Sequence, residues 1–91
     1  MATNAVWMKV DGEHVAHALH AVREKLDGAG GELALDFSSV RRLDPKSLKA
    51  MEELAAAADG KAVKVVLRGV SVDLYKVLRL MKLSKRFAFL N

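Results

Sequence analysis

The residues best placed to do chemistry lie in the middle of the chain, within the segment LALDFSSVRRLDPKSLKAM, residues 33–51. The alternating apolar residues Leu33, Leu35 and Phe37 predict a β-strand, and Asp36 and Ser38 lie at its carboxyl end. Further along, Asp44-Pro45 is typical of a helix start. Polar groups beyond the carboxyl end of a strand form the working surface of open α/β sheets, so we expect the function of the chain to lie here.

The helix start has a structural explanation of its own. The Asp44 carboxylate can accept hydrogen bonds from the first free backbone N–H groups, and Pro45 suits the first helical position because it needs no donor there. Helical spacing places Lys46, Lys49 and Glu53 on the outer side of this helix. Its apolar side consists of Leu48, Met51, Leu54, Ala55 and Ala58.

Catalysis is not supported by the spacing of the reactive residue types. No serine, histidine and aspartate stand in a spacing typical of a nucleophilic triad, and no glycine-rich phosphate loop is present. Asp36 and Asp44 could act together or bind a cation only with a further group and a cleft, which so small a sheet is not expected to enclose. We therefore expect no enzymatic activity, no cofactor and no metal ion.

Basic residues are concentrated in the last third of the chain. Residues 1–60 carry seven Lys/Arg and ten Asp/Glu, whereas residues 61–91 carry eight Lys/Arg and one acid. The candidate basic patch consists of Lys76, Arg79, Lys82, Lys85 and Arg86. Such a stripe could meet phosphates or an acidic protein surface. No aromatic stacking platform accompanies it, which favours a solvated face over nucleic-acid binding.

Three histidines, His14, His17 and His20, recur at three-residue intervals in the first predicted helix. Residues three apart on a helix are neighbours, so this stripe could hold a metal ion. Structural zinc sites usually take ligands from more than one element, and the histidines lie opposite the apolar side of the helix. A solvated surface is therefore the favoured interpretation.

The last predicted helix combines apolar and basic residues on its outer side. Val72, Tyr75 and Leu80 are expected to point away from the core, beside Lys76 and Arg79. An apolar anchor with a polar rim would suit a protein contact, although scattered apolar residues are normal on any surface. The inward stripe is predicted to contain Val70, Leu74, Val77, Leu78 and Met81.

Length and composition indicate one small domain, residues 1–91. The longest apolar runs fall far below the roughly 18 residues that span a bilayer, and the N-terminus, MATNAVWMKV, lacks the pattern of a secretory signal. The chain contains no cysteine and therefore no disulfide framework. These features favour a cytoplasmic protein without membrane insertion.

Hydrophobic periodicity predicts strands and helices in strict alternation, βαβαβαβ. The predicted strands are 5–10, 32–37, 62–67 and 86–90, and the predicted helices are 13–27, 45–58 and 71–81. Strands joined through helices are normally parallel, with right-handed crossovers. The predicted fold class is therefore α/β, a small, mostly parallel four-stranded sheet with helices packed on it.

The segment LDFSSVRRLDPKSLKAMEEL resembles the signature of STAS domains, the family of bacterial anti-sigma-factor antagonists. In that family a strand ending in D-L-S/T leads to D-S-S-G-L or D-T-S-G-L at a helix start. Asp36 to Ser38 occupy the first half of this pattern, and Asp44 and Leu48 bracket the second. VDGEHVAHALHAVREKL and VKVVLRGVSVDLYKVLRLMKLSKRF resemble other passages of the family, so the resemblance covers about residues 5–90.

This resemblance implies a STAS-like fold and a signalling protein that regulates transcription by binding another protein. The implied partner is a kinase-type anti-sigma factor or similar regulator, with an ATPase subunit of a lipid-transport complex as the alternative. A nucleotide- or nucleic-acid-binding protein that uses the basic patch is an alternative of another class. The expected partner-binding residues are Asp36, Ser38, Asp44, Pro45, Lys46, Ser47, Lys49 and Glu53.

The chain departs from the family pattern at the turn where members of the family are phosphorylated. Pro45 stands at the position of the phosphorylated Ser or Thr, and Lys46 replaces a hydroxyl residue. Ser47, at a family glycine, is predicted to turn partly toward the sheet and is a poor substitute acceptor. Lys82 stands where many members have a glycine that stops the last helix. The family's extra first strand is also missing from the pattern, which leaves a sheet edge able to pair with a second copy in a homodimer.

Overall fold

The computed structural model describes residues 6–28 and 30–90. Its strands are β1, Val6–Lys9; β2, Glu32–Asp36; β3, Lys64–Arg68; and β4, Ala88–Leu90. Its helices are α1, Val15–Arg23; α2, Pro45–Gly60; and α3, Val72–Leu80, with 3-10 turns at Leu26–Gly28 and Ser84–Arg86. The predicted alternation of strands and helices is confirmed. Residue 5, the first of the predicted strand 5–10, lies outside the described residues.

The four strands form one parallel sheet in the order β1-β2-β3-β4, which confirms the predicted α/β class. The register places Met8, Leu35, Leu67 and Phe89 in one row across the sheet. Because the strand order follows the chain, right-handed crossovers place every connecting helix on the same face.

The hydrophobic core lies between the helices and this one face of the sheet. Its sheet residues, Leu33, Leu35, Val65 and Leu67, occupy alternate positions of β2 and β3. The helices contribute Leu19 and Val22 from α1, Met51 and Leu54 from α2, and Leu74 and Leu78 from α3. Val66 is buried on the opposite face and is not part of this cluster. The two faces of the sheet therefore have different environments.

The end of the first helix and the orientation of Met81 differ from the sequence-based prediction. The first helix ends at Arg23 rather than near Asp27, because the chain tightens into the 3-10 turn that carries Leu26 into the core. Met81, predicted to face the core, is 46% exposed because α3 ends at Leu80 and no longer directs it inward. The predicted exposure of Val72, Tyr75 and Leu80 is confirmed, as is that of the three histidines of the first helix.

Candidate functional site

The carboxyl edge of the sheet is where the loops after β1, β2 and β3 come together. A Cβ atom added to Gly12 would lie 1.9 Å from the Ser39 carbonyl oxygen. A Cβ atom on Gly69 would lie 3.1 Å from Cβ of Ser38. The β2–α2 connection is thus held between two glycine-containing loops, with the Ser38 and Ser39 side chains exposed. Sequence analysis did not identify either glycine; the signal available was a glycine shortly after a predicted strand.

Asp36 shapes the first part of this connection. Its Oδ1 accepts a hydrogen bond from the Ser38 backbone N–H at 2.9 Å. That bond, and hydrogen bonding from the Ser38 side chain, lower the pKa of Asp36, with smaller contributions from Lys9 and Arg68. Asp36 therefore stays ionised and fixes the turn that presents Ser38 to solvent.

Asp44 caps α2, as the sequence predicts. Its Oδ1 accepts from the Ser47 backbone N–H at 2.8 Å, and Pro45 occupies the first turn. Hydrogen bonds from the side chain and backbone of Ser47 lower the pKa of Asp44. Ser47 itself is only 5% exposed, in agreement with its predicted turn toward the sheet. A buried hydroxyl at this place is not accessible to a kinase in the folded protein.

The outer side of α2 forms one wall of a shallow groove against α1. The groove is lined by Ala16, His20, Lys46, Lys49, Ala50 and Glu53. Lys46 and Lys49 are exposed, whereas the Glu53 carboxylate lies 3.7 Å from the Arg23 guanidinium. Glu53 therefore links the two helices, and the lysines supply the free charge of the groove.

Two further cations, Arg41 and Arg42, are exposed in the same connection. They lie next to the helix start, and sequence analysis assigned them no role although the adjacent basic pair was a visible signal. The carboxylates of this region, Asp36 and Asp44, both accept backbone hydrogen bonds. The four exposed cations around the start of α2 outnumber these two carboxylates, so the surface there carries a net positive charge.

The candidate basic patch is only partly assembled. Lys76, Arg79, Lys82 and Lys85 are exposed, and several of them line a shallow pocket with Tyr75. Arg86 instead donates to Asp59 Oδ2 at 2.9 Å, which ties the last 3-10 turn to the end of α2. The Tyr75 and Phe89 rings pack edge to face, with centroids 5.1 Å apart, so Tyr75 is held against β4. In the part of the chain that the structure describes, no helix is both long and apolar enough to cross a membrane.

A family model described as the Mlab STAS domain matches residues 1–90. The crystal structure of a proposed anti-sigma factor antagonist from Thermotoga maritima superimposes with a TM-score of 0.72 at 16% identity, covering 100% of this chain and 76% of that one. No curated protein matches the sequence. The structural likeness concerns the fold, whereas the family match is carried by the sequence.

Proposed function

This chain belongs to the STAS domain family, and from that premise we propose that it binds a protein partner through one defined docking surface. The docking surface comprises Ser38, the turn from Asp44 to Lys49, and the outer side of α2. Binding rather than catalysis is its proposed role, in the cytoplasm. The main support is the pair of exposed lysines, Lys46 and Lys49, on a helix start whose capping carboxylate is already hydrogen-bonded.

The charge of the docking surface favours an acidic partner face. Arg41, Arg42, Lys46 and Lys49 are exposed around the start of α2. Oppositely charged patches steer association and fix the orientation of a complex. We therefore expect the partner to present Asp and Glu side chains to this helix start.

Control by phosphate at the usual family position does not fit this chain. Pro45 has no hydroxyl, and the nearby Ser47 is buried. Lys46 already places a positive charge where phosphorylation would add a negative one. The proposed module therefore binds constitutively or is controlled by something other than phosphorylation of this turn.

The first candidate for the partner is a kinase-type anti-sigma factor or a similar regulator. The likeness to a proposed anti-sigma factor antagonist supports it at the level of fold. An ATPase subunit of a lipid-transport complex remains the alternative partner. Both candidates use the same docking surface, so identification of the bound protein distinguishes them.

A pull-down with the intact protein tests the proposal. Wild type, Lys46→Glu and Arg79→Glu are each used to capture proteins from the native cell extract, and the retained proteins are identified by mass spectrometry. Lys46→Glu reverses a charge on the docking surface, whereas Arg79→Glu makes the same change on α3. We expect wild type and Arg79→Glu to retain a regulator or an ATPase from the extract. Lys46→Glu should fail to retain that protein.

Salt dependence separates this function from nucleic-acid binding by the basic patch. Binding to phosphates weakens steeply with salt, whereas a packed protein interface is expected to lose far less affinity. Nucleic acid retained by wild type and Lys46→Glu but lost by Arg79→Glu and by high salt would contradict the docking proposal.

A further inference from the structure

The face of the sheet opposite the core carries no helix among the described residues. Its central row is apolar and consists of Trp7, Ala34, Val66 and Ala88 on successive strands. The row toward the carboxyl edge contains Lys9, Asp36, Arg68 and Leu90, and the row toward the amino edge contains Glu32 and Lys64. We name these residues together the open sheet face.

Large apolar groups are exposed on the open sheet face. Trp7 is 50% exposed and Leu90 is 56% exposed. The Arg68 guanidinium lies 5.4 Å from the centroid of the Trp7 ring, so both side chains lie over the intervening strand β2. Exposed apolar side chains that stand beside charged ones are typical of a protein interface.

We propose that the open sheet face binds the same face of a second copy of this chain. The charges of the face alternate in sign across neighbouring strands, from Lys9 to Asp36 to Arg68 in one row and from Glu32 to Lys64 in the other. A twofold axis parallel to the strands, between β2 and β3, stacks β2 on the partner's β3. Asp36 then meets the partner's Arg68, and Glu32 meets the partner's Lys64.

The apolar row is complementary to itself under the same operation. The axis stacks β1 on β4 of the second copy, so Trp7 lies opposite the partner's Ala88 in the register, and the Trp7 ring extends over β2 between the two faces. Val66, which is buried in its own chain, lies opposite the partner's Ala34 in the same register. Ala34 and Ala88 are small and Val66 is already covered, so this row leaves room between the two faces for the Trp7 rings.

The charges also favour this dimer over the alternative face-to-face dimer, in which the twofold axis runs perpendicular to the strands. An axis perpendicular to the strands would stack each strand on its own copy in the reverse direction. Asp36 would then face the partner's Glu32, and Arg68 would face the partner's Lys64. Like charges in contact disfavour an interface, so the parallel axis is the one the sequence supports.

The size of the face sets the expected strength of the dimer. Four strands spaced about 4.8 Å apart give a face about 15 Å wide, so the interface falls below the roughly 800 Å² per partner of a standard complex. We therefore expect dissociation constants in the micromolar range. The open sheet face is separate from the docking surface, so this proposal stands or falls independently of the proposed function.

Sedimentation equilibrium of the full chain between about 5 and 500 µM tests the proposal. We expect wild type to be a concentration-dependent dimer. Trp7→Ala removes the apolar anchor, and Lys64→Glu places like charges opposite each other, so each should weaken dimerisation about tenfold or more. The double variant Glu32→Lys with Lys64→Glu exchanges the two charges and should restore the wild-type dimer.

The controls separate dimerisation from folding. Circular dichroism of each variant verifies the fold, and Arg79→Glu makes a charge reversal away from the open sheet face and should leave dimerisation unchanged. A wild type that stays monomeric over the whole range would overturn the proposal. So would a dimer that is insensitive to both Trp7→Ala and Lys64→Glu, because it would use another surface such as a sheet edge.

Discussion

At Gly12 the addition of a single methyl group should destabilise the fold. A Cβ atom there would lie 1.9 Å from the Ser39 carbonyl oxygen, so the backbone of one loop must move to admit it. We expect Gly12→Ala to lower the free energy of unfolding by about 1–3 kcal/mol, the range typical of overpacked sites. Urea unfolding followed by circular dichroism measures this change.

Gly28 provides the matched control for this substitution. An added Cβ atom there would have nothing within 4 Å. Gly28→Ala should therefore change the free energy of unfolding by no more than about 0.5 kcal/mol. Equal destabilisation by both substitutions would show that the contact between Gly12 and Ser39 is not the cause.

The residues of the docking surface differ in how far the sequence predicts them. Asp44 and Pro45 follow from local rules of helix starts, and the cap is found as expected. The burial of Ser47 follows from its helical angle. Gly12 could not be identified in this way, because the residue that it contacts is distant along the chain and meets it only when β1 and β2 pair.

The second and third helices end in the same backbone motif. After α2, the Val63 N–H donates to the Ala58 carbonyl at 2.9 Å, and Ala62 adopts a left-handed φ of 55°. After α3, the Leu83 N–H donates to the Leu78 carbonyl at 2.8 Å, and Lys82 has φ of 62°. Both are helix ends at which glycine is usual.

Glycine at these two positions should stabilise the protein. A left-handed conformation costs roughly 1–2 kcal/mol for a residue with a Cβ atom, and the extra freedom of glycine in the unfolded chain offsets part of the gain. We expect Ala62→Gly and Lys82→Gly each to raise the free energy of unfolding by about 0.5–1 kcal/mol. Urea unfolding of each variant measures the gain.

Lys85→Gly is a suitable comparison for this pair. Lys85 is exposed in the last 3-10 turn and has no positive φ, so glycine there should only add freedom to the unfolded chain and destabilise slightly. Stabilisation by Lys85→Gly, or none at Ala62 and Lys82, would contradict the role assigned to the left-handed positions.

The elements themselves are the most predictable part of the fold. β2 and α2 follow from alternation in Glu32–Asp36 and from the Asp44-Pro45 start, and their bounds lie close to those predicted. The end of α1 and the direction of Met81 were missed because a 3-10 turn and a helix stop override the helical period. Pairing of Arg86 with Asp59 joins distant segments, and no local pattern indicates it.

The sequential strand order has a consequence for the whole molecule. All helices cover one face of the sheet, so the docking surface beside α1 and α2 and the open sheet face lie on opposite sides. A dimer formed through the open sheet face would therefore leave both docking surfaces accessible. Such a dimer could bind two partner molecules at once, which would raise the apparent affinity for a multivalent target.

Three aspartates at the carboxyl edge of the sheet each stabilise a turn or a helix start by accepting a backbone hydrogen bond. Asp11, Asp36 and Asp44 each accept a hydrogen bond from a nearby backbone N–H, those of Glu13, Ser38 and Ser47. The pKa of Asp11 is lowered first by the Glu13 backbone bond and then by His14. The pKa values of Asp36 and Asp44 are lowered by hydrogen bonds from Ser38 and Ser47. All three therefore bind protons less readily in the folded chain than in the unfolded one.

This shared shift predicts where acid should weaken the fold. A carboxylate with a lowered folded-state pKa contributes its full stability above the unfolded value of 3.8 and loses it as the pH falls through the folded value. Asparagine accepts the same backbone bonds but does not titrate. Replacing all three aspartates with asparagine should therefore flatten the fall of the urea midpoint between about pH 5 and pH 2.5, relative to wild type. An equally steep fall in the triple variant would assign the acid sensitivity to other carboxylates and leave these three with a purely geometric role.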